Sequence, residues 1–354
     1  MKVLYDSQIF SLQKFGGISR YIYELIYNNK GLYETVLAGK YFENKYLSET
    51  KFYKDKLFFD FKYKKYLLNE YNKKFSKEII KENKYDILHP TYYDTYFMKI
   101  NKKPYVIDAH DMIQELFPIN SIAQKKIREK KSIVMHNASA IIAVSENTKK
   151  DLLKLYPEIQ ESKVHVCYRG SFWESINKKQ NQDNYILFTG QRNFYKNFIN
   201  FVKAVAPLLK KYNIRLICTG SPFSKSEITL FEELDIYSNI KNVFANDSEL
   251  KNLYAHAICF VYPSLYEGFG VPILESWAMK CPIALSSTSC FPEIAENAGL
   301  YFDPNNIDDI KDKVEQLIND SKLQNDLINK GTERIKKFNW SDKIDETFSI
   351  YNSL

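Results

Sequence analysis

The sequence predicts an α/β protein made of two doubly wound parallel-sheet domains. Apolar strand-like runs alternate with helix-like stretches along nearly the whole chain, the spacing of repeated βα units. A length of 354 residues exceeds what one hydrophobic core serves. Near the middle, FWESINKKQNQDN breaks the rhythm without any period, as a linker does. The expected boundaries are residues 1–170, a linker at 171–184, and a second domain at 185–337.

In the first domain KVLY opens as a strand, and a helix starts near Gly17 after a glycine pair. TVLAG, a long helix in a basic segment and DILHP follow, then PYVIDAH, a helix near 122–137, ASAIIAVS, a helix from Ser145, and VHVCYRG. The second domain runs through YILFTG, a helix from about Asn197 to Lys211, RLICTG, a helix from about Ser226, NVFAND, a helix capped by Ser248, and ICFVYPS. After a further helix, PIALSS and GLYFDP complete it. Each half reads as a Rossmann-like domain.

With 45% apolar and 26% charged residues the composition is that of a folded globular protein. Five cysteines without a C-x-x-C pair read as reduced thiols of a cytoplasmic protein. The opening MKVLYDS reads as a first strand rather than a leader, and no apolar stretch reaches the roughly 18 residues of a membrane span. Residues 40–84 hold 13 Lys against 7 acidic residues, interleaved with aromatics. Peripheral contact with an anionic membrane, at the inner face of the cell membrane, or with an acidic acceptor competes there with a solvated helix whose aromatics turn inward. Nucleic acid is not an expected partner.

The most informative stretch is YPSLYEGFGVPILESWAMK, after the strand ICFVYPS. Open α/β sheets bind ligands at the carboxyl ends of their strands. Gly268 and Gly270 let the backbone approach a ligand, and Pro272 suits the first turn of a helix, whose free N–H groups favour phosphate. Glu267 before the turn and Glu275, read as inside the first helical turn, would repel phosphate and so suit hydroxyl groups. Phosphates beside vicinal hydroxyls describe a nucleotide sugar. Arg192 and Lys196 in TGQRNFYKN stand at another strand end, where a diphosphate needs positive charge. Gly16 and Gly17 in SLQKFGGISRYIYEL precede a helix start. His110 and Asp111 end the strand of PYVIDAHDMIQELFP, where packing or capping roles are the plain alternatives, and Ser145 is equally a helix N-cap.

EGFGVPILE resembles the E-x7-E signature of the retaining glycosyltransferases of family 4, whose GT-B fold has two Rossmann-like domains facing a central cleft. The resemblance covers nearly the whole chain and is strongest for a bacterial surface-polysaccharide, mannosyltransferase-like subgroup. It implies that Glu267 contacts the donor sugar, that Glu275 binds the ribose, and that Gly268, Phe269, Gly270 and Val271 offer backbone N–H groups. TGQRNFYKN is similar to the family's Arg…Lys-Asn element, which assigns Arg192 and Lys196 to the diphosphate. The glycine loop implies donor contacts at Gly16 and Gly17. The HDM string implies a place for His110 at the catalytic centre with Glu267, Arg192 and Lys196. HPTYY and AVSENTKKDL match the subgroup and put His89 and Ser145, with Asp111, on the acceptor side.

The ending RIKKFNWSDKIDETFSIY resembles a helix, about 338–354, that crosses back onto the N-terminal domain. Two departures are expected to touch no predicted contact: VIDA before His110 is less apolar than usual, and YRG at 168–170 replaces a commoner turn. The implied reaction is retaining transfer of a hexose, mannose being one candidate, from GDP-mannose or a UDP-sugar to a glycan or lipid-linked acceptor in surface polysaccharide synthesis. The sequence has no Asp-x-Asp triplet to hold a metal, so metal-independent, cofactor-free chemistry is expected, with cations and helix starts stabilising the departing diphosphate. A nucleotide-sugar epimerase of the same build and a non-catalytic partner in an assembly complex are the rivals. A degenerate partner usually loses the phosphate cations or the first Glu, and both are present here.

Overall fold

Val3, Leu4 and Tyr5 are wholly enclosed, which is why this short run forms a strand despite its few residues. A computed structural model of the chain describes residues 1–52, 64–119, 121–177 and 183–354. The chain divides into two compact units, Met1–Arg169 with Ser341–Leu354, and Gly170–Trp340.

Unit 1 runs β1 (Lys2–Asp6), α1 (Gln8–Leu12), α2 (Gly17–Tyr27), β2 (Glu34–Ala38), α3 (Lys64–Glu82), β3 (Ile87–His89), β4 (Val106–Ala109), α4 (Ile113–Leu116), α5 (Ile122–His136), β5 (Ala140–Ala143), α6 (Glu146–Leu155) and β6 (Val164–Val166). Its strands pair in parallel in the orders β2-β1-β3 and β4-β5-β6, joined by a parallel bridge between Leu88 and Tyr105. The direction of strand succession reverses between β1 and β3, so the loops after them splay apart and leave a crevice at the carboxyl edge.

Unit 2 runs β7 (Tyr185–Phe188), α7 (Phe198–Lys211), β8 (Arg215–Thr219), α8 (Lys225–Glu233), β9 (Ile240–Val243), α9 (Asp247–His256), β10 (Phe260–Tyr262), α10 (Val271–Ala278), β11 (Ile283–Ser286), α11 (Phe291–Ala295), β12 (Leu300–Phe302), α12 (Ile307–Asn319) and α13 (Ser321–Arg334). A last helix, α14 (Trp340–Asn352), belongs to unit 1 from Ser341 onward. The six strands of unit 2 are parallel in the order β12-β11-β10-β7-β8-β9, with the reversal between β7 and β10. Phe201, Val202, Val205, Leu208 and Leu209 recur at helical spacing on α7 and share a core with Ile186, Phe188 and Leu216 of the sheet. Burying each such side chain contributes about 1.5–3 kcal/mol before conformational entropy is counted.

Several expectations need correction. The short helix α1 stands between β1 and the glycine pair. The cap of α9 is Asn246 rather than Ser248: Asn246 Oδ1 accepts from Glu249 N at 3.0 Å while Glu249 Oε2 accepts from Asn246 N at 2.8 Å, a capping box that satisfies two end groups at once. Helices α12 and α13 occupy a stretch where the sequence reading placed no element. In the basic segment, Lys54, Lys56, Lys62 and the aromatics among them lie outside the described residues. Helix α3 faces inward with Asn72, Ser76 and Ile80, Asn72 accepting from the backbone N–H groups of Lys40 and Tyr41 at 3.0 and 3.3 Å. Tyr66 and Tyr71 are 63% and 43% exposed, so inward-turned aromatics do not describe them. Of the segment read as a linker, 178–182 lie outside the described residues and the rest is counted in unit 2. All five cysteines are buried and free, and no helix among the described residues is long and apolar enough to cross a membrane.

Candidate functional site

The reversal in unit 2 places the loops after β7 and β10 side by side, and these two loops carry Arg192, Lys196 and Glu267, with Glu275 on the helix that follows the second. After β7, Gly190 adopts φ 99° and Gly220, after β8, φ 107°. A Cβ on Gly220 would stand 2.5 Å from the Gly190 carbonyl oxygen, so the two strand ends meet backbone to backbone. Asn197 is left-handed at φ 55° and donates through Nδ2 to the Pro304 carbonyl at 2.7 Å. It ends the turn Phe194–Lys196 and begins α7, which explains the Lys-Asn pair.

Lys196 Nζ lies 2.6 Å from Glu267 Oε1 across the reversal, the two side chains 15% and 11% exposed. Glu267 is held through its backbone, whose N–H donates to Ser289 Oγ at 3.1 Å and whose carbonyl accepts from the same hydroxyl at 2.6 Å. Arg192 donates from Nε to Glu227 Oε1 at 2.7 Å and from Nη2 to the carbonyls of Ser221 and Pro222 at 2.5 and 2.9 Å. It therefore braces the turn before α8, and its Nη1 has no hydrogen-bond partner among the described residues.

Gly270 caps α10 at φ 89°, and a Cβ there would sit 3.1 Å from Ile273 Cδ1. Gly268 and Phe269 are buried beside it, and Val271 opens the helix, whose first N–H groups have no partner inside the helix. Glu275 stands in the second turn of α10, not the first. Its Oε2 accepts from Tyr254 Oη at 3.2 Å, and that hydroxyl also meets Thr189 Oγ1 at 3.1 Å. Tyr254 thus ties the end of β7 to the second carboxylate. Tyr254, Thr189 and Ser289 escaped the sequence reading, since nothing in a buried Tyr on α9 or a turn Ser signals a contact so far along the chain.

In unit 1, Gly16 caps α2 and its carbonyl accepts from Ser19 Oγ at 3.0 Å. A Cβ on Gly17 would meet open space, so packing within the protein does not demand a glycine there. Asp111 Oδ1 accepts from Ile113 N at 3.0 Å, a local turn contact. Ser145 is buried and caps α6 by accepting from Thr148 N at 3.0 Å. His89 has no exposed surface: Nδ1 meets Tyr351 Oη of α14 at 2.5 Å and Nε2 meets Asp108 Oδ2 at 3.0 Å. His110 follows β4 at the carboxyl edge, its Nδ1 2.8 Å from Arg169 Nη2.

The two departures noted in the sequence therefore do touch predicted contacts. Asp108 engages His89, and Arg169 engages both His110 and, at 3.6 Å, Asp108. Asp108 and Arg169 stand 61 positions apart, and residues so distant in sequence carry no local signal of their pairing. Burial alone would push the Asp108 carboxyl up, yet Arg169 and then His89 outweigh it and hold it below the usual carboxylate range. Burial pushes His110 down, Asp108 pulls it up, and Arg169 pushes it down again, with the balance at about 3.

The family model for glycosyl transferases group 1 matches residues 171–334, and that for glycosyltransferase family 4 matches residues 15–171. Together they span both units, and the chain belongs to the family 4 glycosyltransferases. An uncharacterized glycosyltransferase of Methanocaldococcus jannaschii is 27% identical over 77% of this chain and 76% of its own length. The O-antigen chain mannosyltransferase RfbU of Salmonella typhimurium is also 27% identical, and this match spans only 56% of either chain. The crystal structure of HepE from Anabaena in complex with UDP and glucose superposes with a TM-score of 0.77 at 14% identity, covering 100% of this chain and 99% of that one. That likeness shows the shared GT-B fold of two Rossmann-like domains.

Proposed function

We propose that this glycosyltransferase moves a hexose, mannose in the first instance, from a nucleotide-diphosphate sugar to a glycan or lipid-linked acceptor of a surface polysaccharide, with retention of anomeric configuration. The observation that carries the donor reading is the Lys196–Glu267 pair, 2.6 Å apart at the strand-order reversal of unit 2, where open α/β sheets bind nucleotides. Lys196 and the start of α10 favour a diphosphate, while Glu267 and Glu275 accept hydrogen bonds from sugar and ribose hydroxyls. Arg192 adds charge through Nη1, and the HDM resemblance gives His110 a place at the catalytic centre. The names of RfbU and of HepE's bound ligands support this chemistry without deciding between GDP-mannose and a UDP-sugar.

The reading is tested by thermal shift against a panel of nucleotide sugars, since a donor at about 100 times its dissociation constant adds about 2.7 kcal/mol of stability. Transfer to a lipid-linked glycan follows with the best donor, and chelator should leave the rate unchanged because Lys196, Arg192 and the helix start supply the stabilising charge. Failure of every nucleotide sugar to stabilise the chain refutes the proposal. Conversion of donor without acceptor would instead support an epimerase. Contact with an anionic membrane through residues 40–84 is supported by Tyr66, Leu67 and Tyr71, exposed beside Lys65 and Lys74 on α3. Equal sedimentation with neutral and anionic vesicles would refute it.

A further inference from the structure

A guanidinium has only donors to offer, so any ring nitrogen that meets it must be an acceptor. Arg169 Nη2 lies 2.8 Å from His110 Nδ1, which leaves that nitrogen without a proton. A neutral imidazole then carries its proton on Nε2. The guanidinium is itself fixed: its Cζ stands 3.2 Å from the centroid of the Tyr21 ring, and Nη2 reaches Asp108 Oδ1 at 3.6 Å. Asp108 is anchored in turn by Tyr21 Oη, donating at 3.2 Å, and by His89 Nε2 at 3.0 Å. The backbone N–H of His110 donates to Tyr93 Oη at 3.4 Å, and Tyr93 Oη donates to the Asp108 carbonyl at 3.1 Å, so backbone and ring are both held.

Asp108 and Arg169 are only 2% and 5% exposed. An enclosed ion pair brings little stability over an apolar pair of similar volume. Arg169 Nη1 also lacks a hydrogen-bond partner among the described residues, a further cost that a bracing role alone would not incur. We infer that Arg169 is a positioning residue: held by Asp108 and Tyr21, it locks His110 in the tautomer protonated at Nε2, so that His110 offers its Nε2–H as a hydrogen-bond donor. Asp108 carries the orienting role one step further back, and His89 supports Asp108.

This inference rests on the reading that His110 stands at the reacting centre. The test uses the full chain labelled with nitrogen-15, its His110 ring signals assigned by their loss in His110→Gln. Long-range proton–nitrogen correlations near neutral pH should show Nδ1 bare and Nε2 protonated. Arg169→Leu should release the tautomer and lower kcat about 10- to 100-fold with donor KM changed less than about twofold. Arg169→Lys should restore the tautomer and part of kcat, because an ammonium also only donates. A proton on Nδ1 of the native chain overturns the inference, as does Arg169→Leu with native tautomer and native kcat. If the Leu variant does not fold, the native spectrum and the Lys variant decide. Full activity in His110→Gln would sink the placement of His110 at the reacting centre while leaving the tautomer result standing.

Discussion

Replacing Lys196 by Ala separates what the residue does for the fold from what it does for the donor. Its ammonium is 2.6 Å from Glu267, and the two side chains are 15% and 11% exposed. Breaking an enclosed pair by removing one partner costs about 3–5 kcal/mol, because the remaining charge stays desolvated. The solvent still reaching both groups lowers that, and about 1–3 kcal/mol of lost stability is expected here. Glu267→Gln in the same chain removes the orphaned charge and should recover most of this loss. Donor binding behaves differently. A charge-assisted hydrogen bond to a diphosphate contributes about 1.5–3 kcal/mol, a factor of about 10–150 in kcat/KM. That loss should persist in the double variant, where the ammonium is still missing. Urea unfolding reads the first effect and steady-state kinetics with the preferred donor reads the second. Native kcat/KM in Lys196→Ala would refute the placement of the diphosphate at the β7–β10 reversal.

Gly270→Ala forces a Cβ onto a left-handed residue and against Ile273, and should destabilise unit 2 by about 1–3 kcal/mol, seen as a lower Tm; an unchanged Tm would show that the turn relaxes freely. Tyr254→Phe deletes the hydroxyl between Thr189 and Glu275, and should raise donor KM several-fold with kcat within about twofold. A fall confined to kcat would remove Glu275 from donor binding. His110 lies at about 3 in the folded chain against its ordinary 6.5, so as pH falls the unfolded chain takes up the proton first. Stability is complete above about pH 6.5 and is lost on the way down towards about pH 3, with Asp108 adding to the acid loss at its lower end. His110→Gln should flatten the decline in urea midpoint between about pH 7 and about pH 4.5, and an unchanged slope would refute the assignment.

The strand–turn–helix grammar of each unit was legible because its signals are local. Continuous apolar runs such as YILF and AIIA mark strands covered on both faces, and Gly270 with Pro272 marks a helix start that few other residues could make. Caps depend on partners as well as on residue type: Ser145 caps α6, but Asn246 outcompetes Ser248 because it forms a reciprocal box with Glu249. The loops holding Arg192, Lys196 and Glu267 are legible because each directly follows a strand, where ligands gather, and Glu275 lies on the helix that the second loop starts.

By itself, the sequence determined the βα rhythm, the strand ends that bear charge and the family to which the chain belongs, since all of these reside in short contiguous strings. Tertiary structure alone decided which strands became neighbours, and hence that Lys196 would meet a carboxylate 71 residues away. It also decided that Arg192 would spend most of its donors on Glu227 and two carbonyls, and that Asp108 and Arg169 would join around His110. The reason is physical: an apolar period is written in consecutive residues, whereas a polar contact between distant segments exists only once packing has set their distance and excluded the water that would otherwise satisfy them.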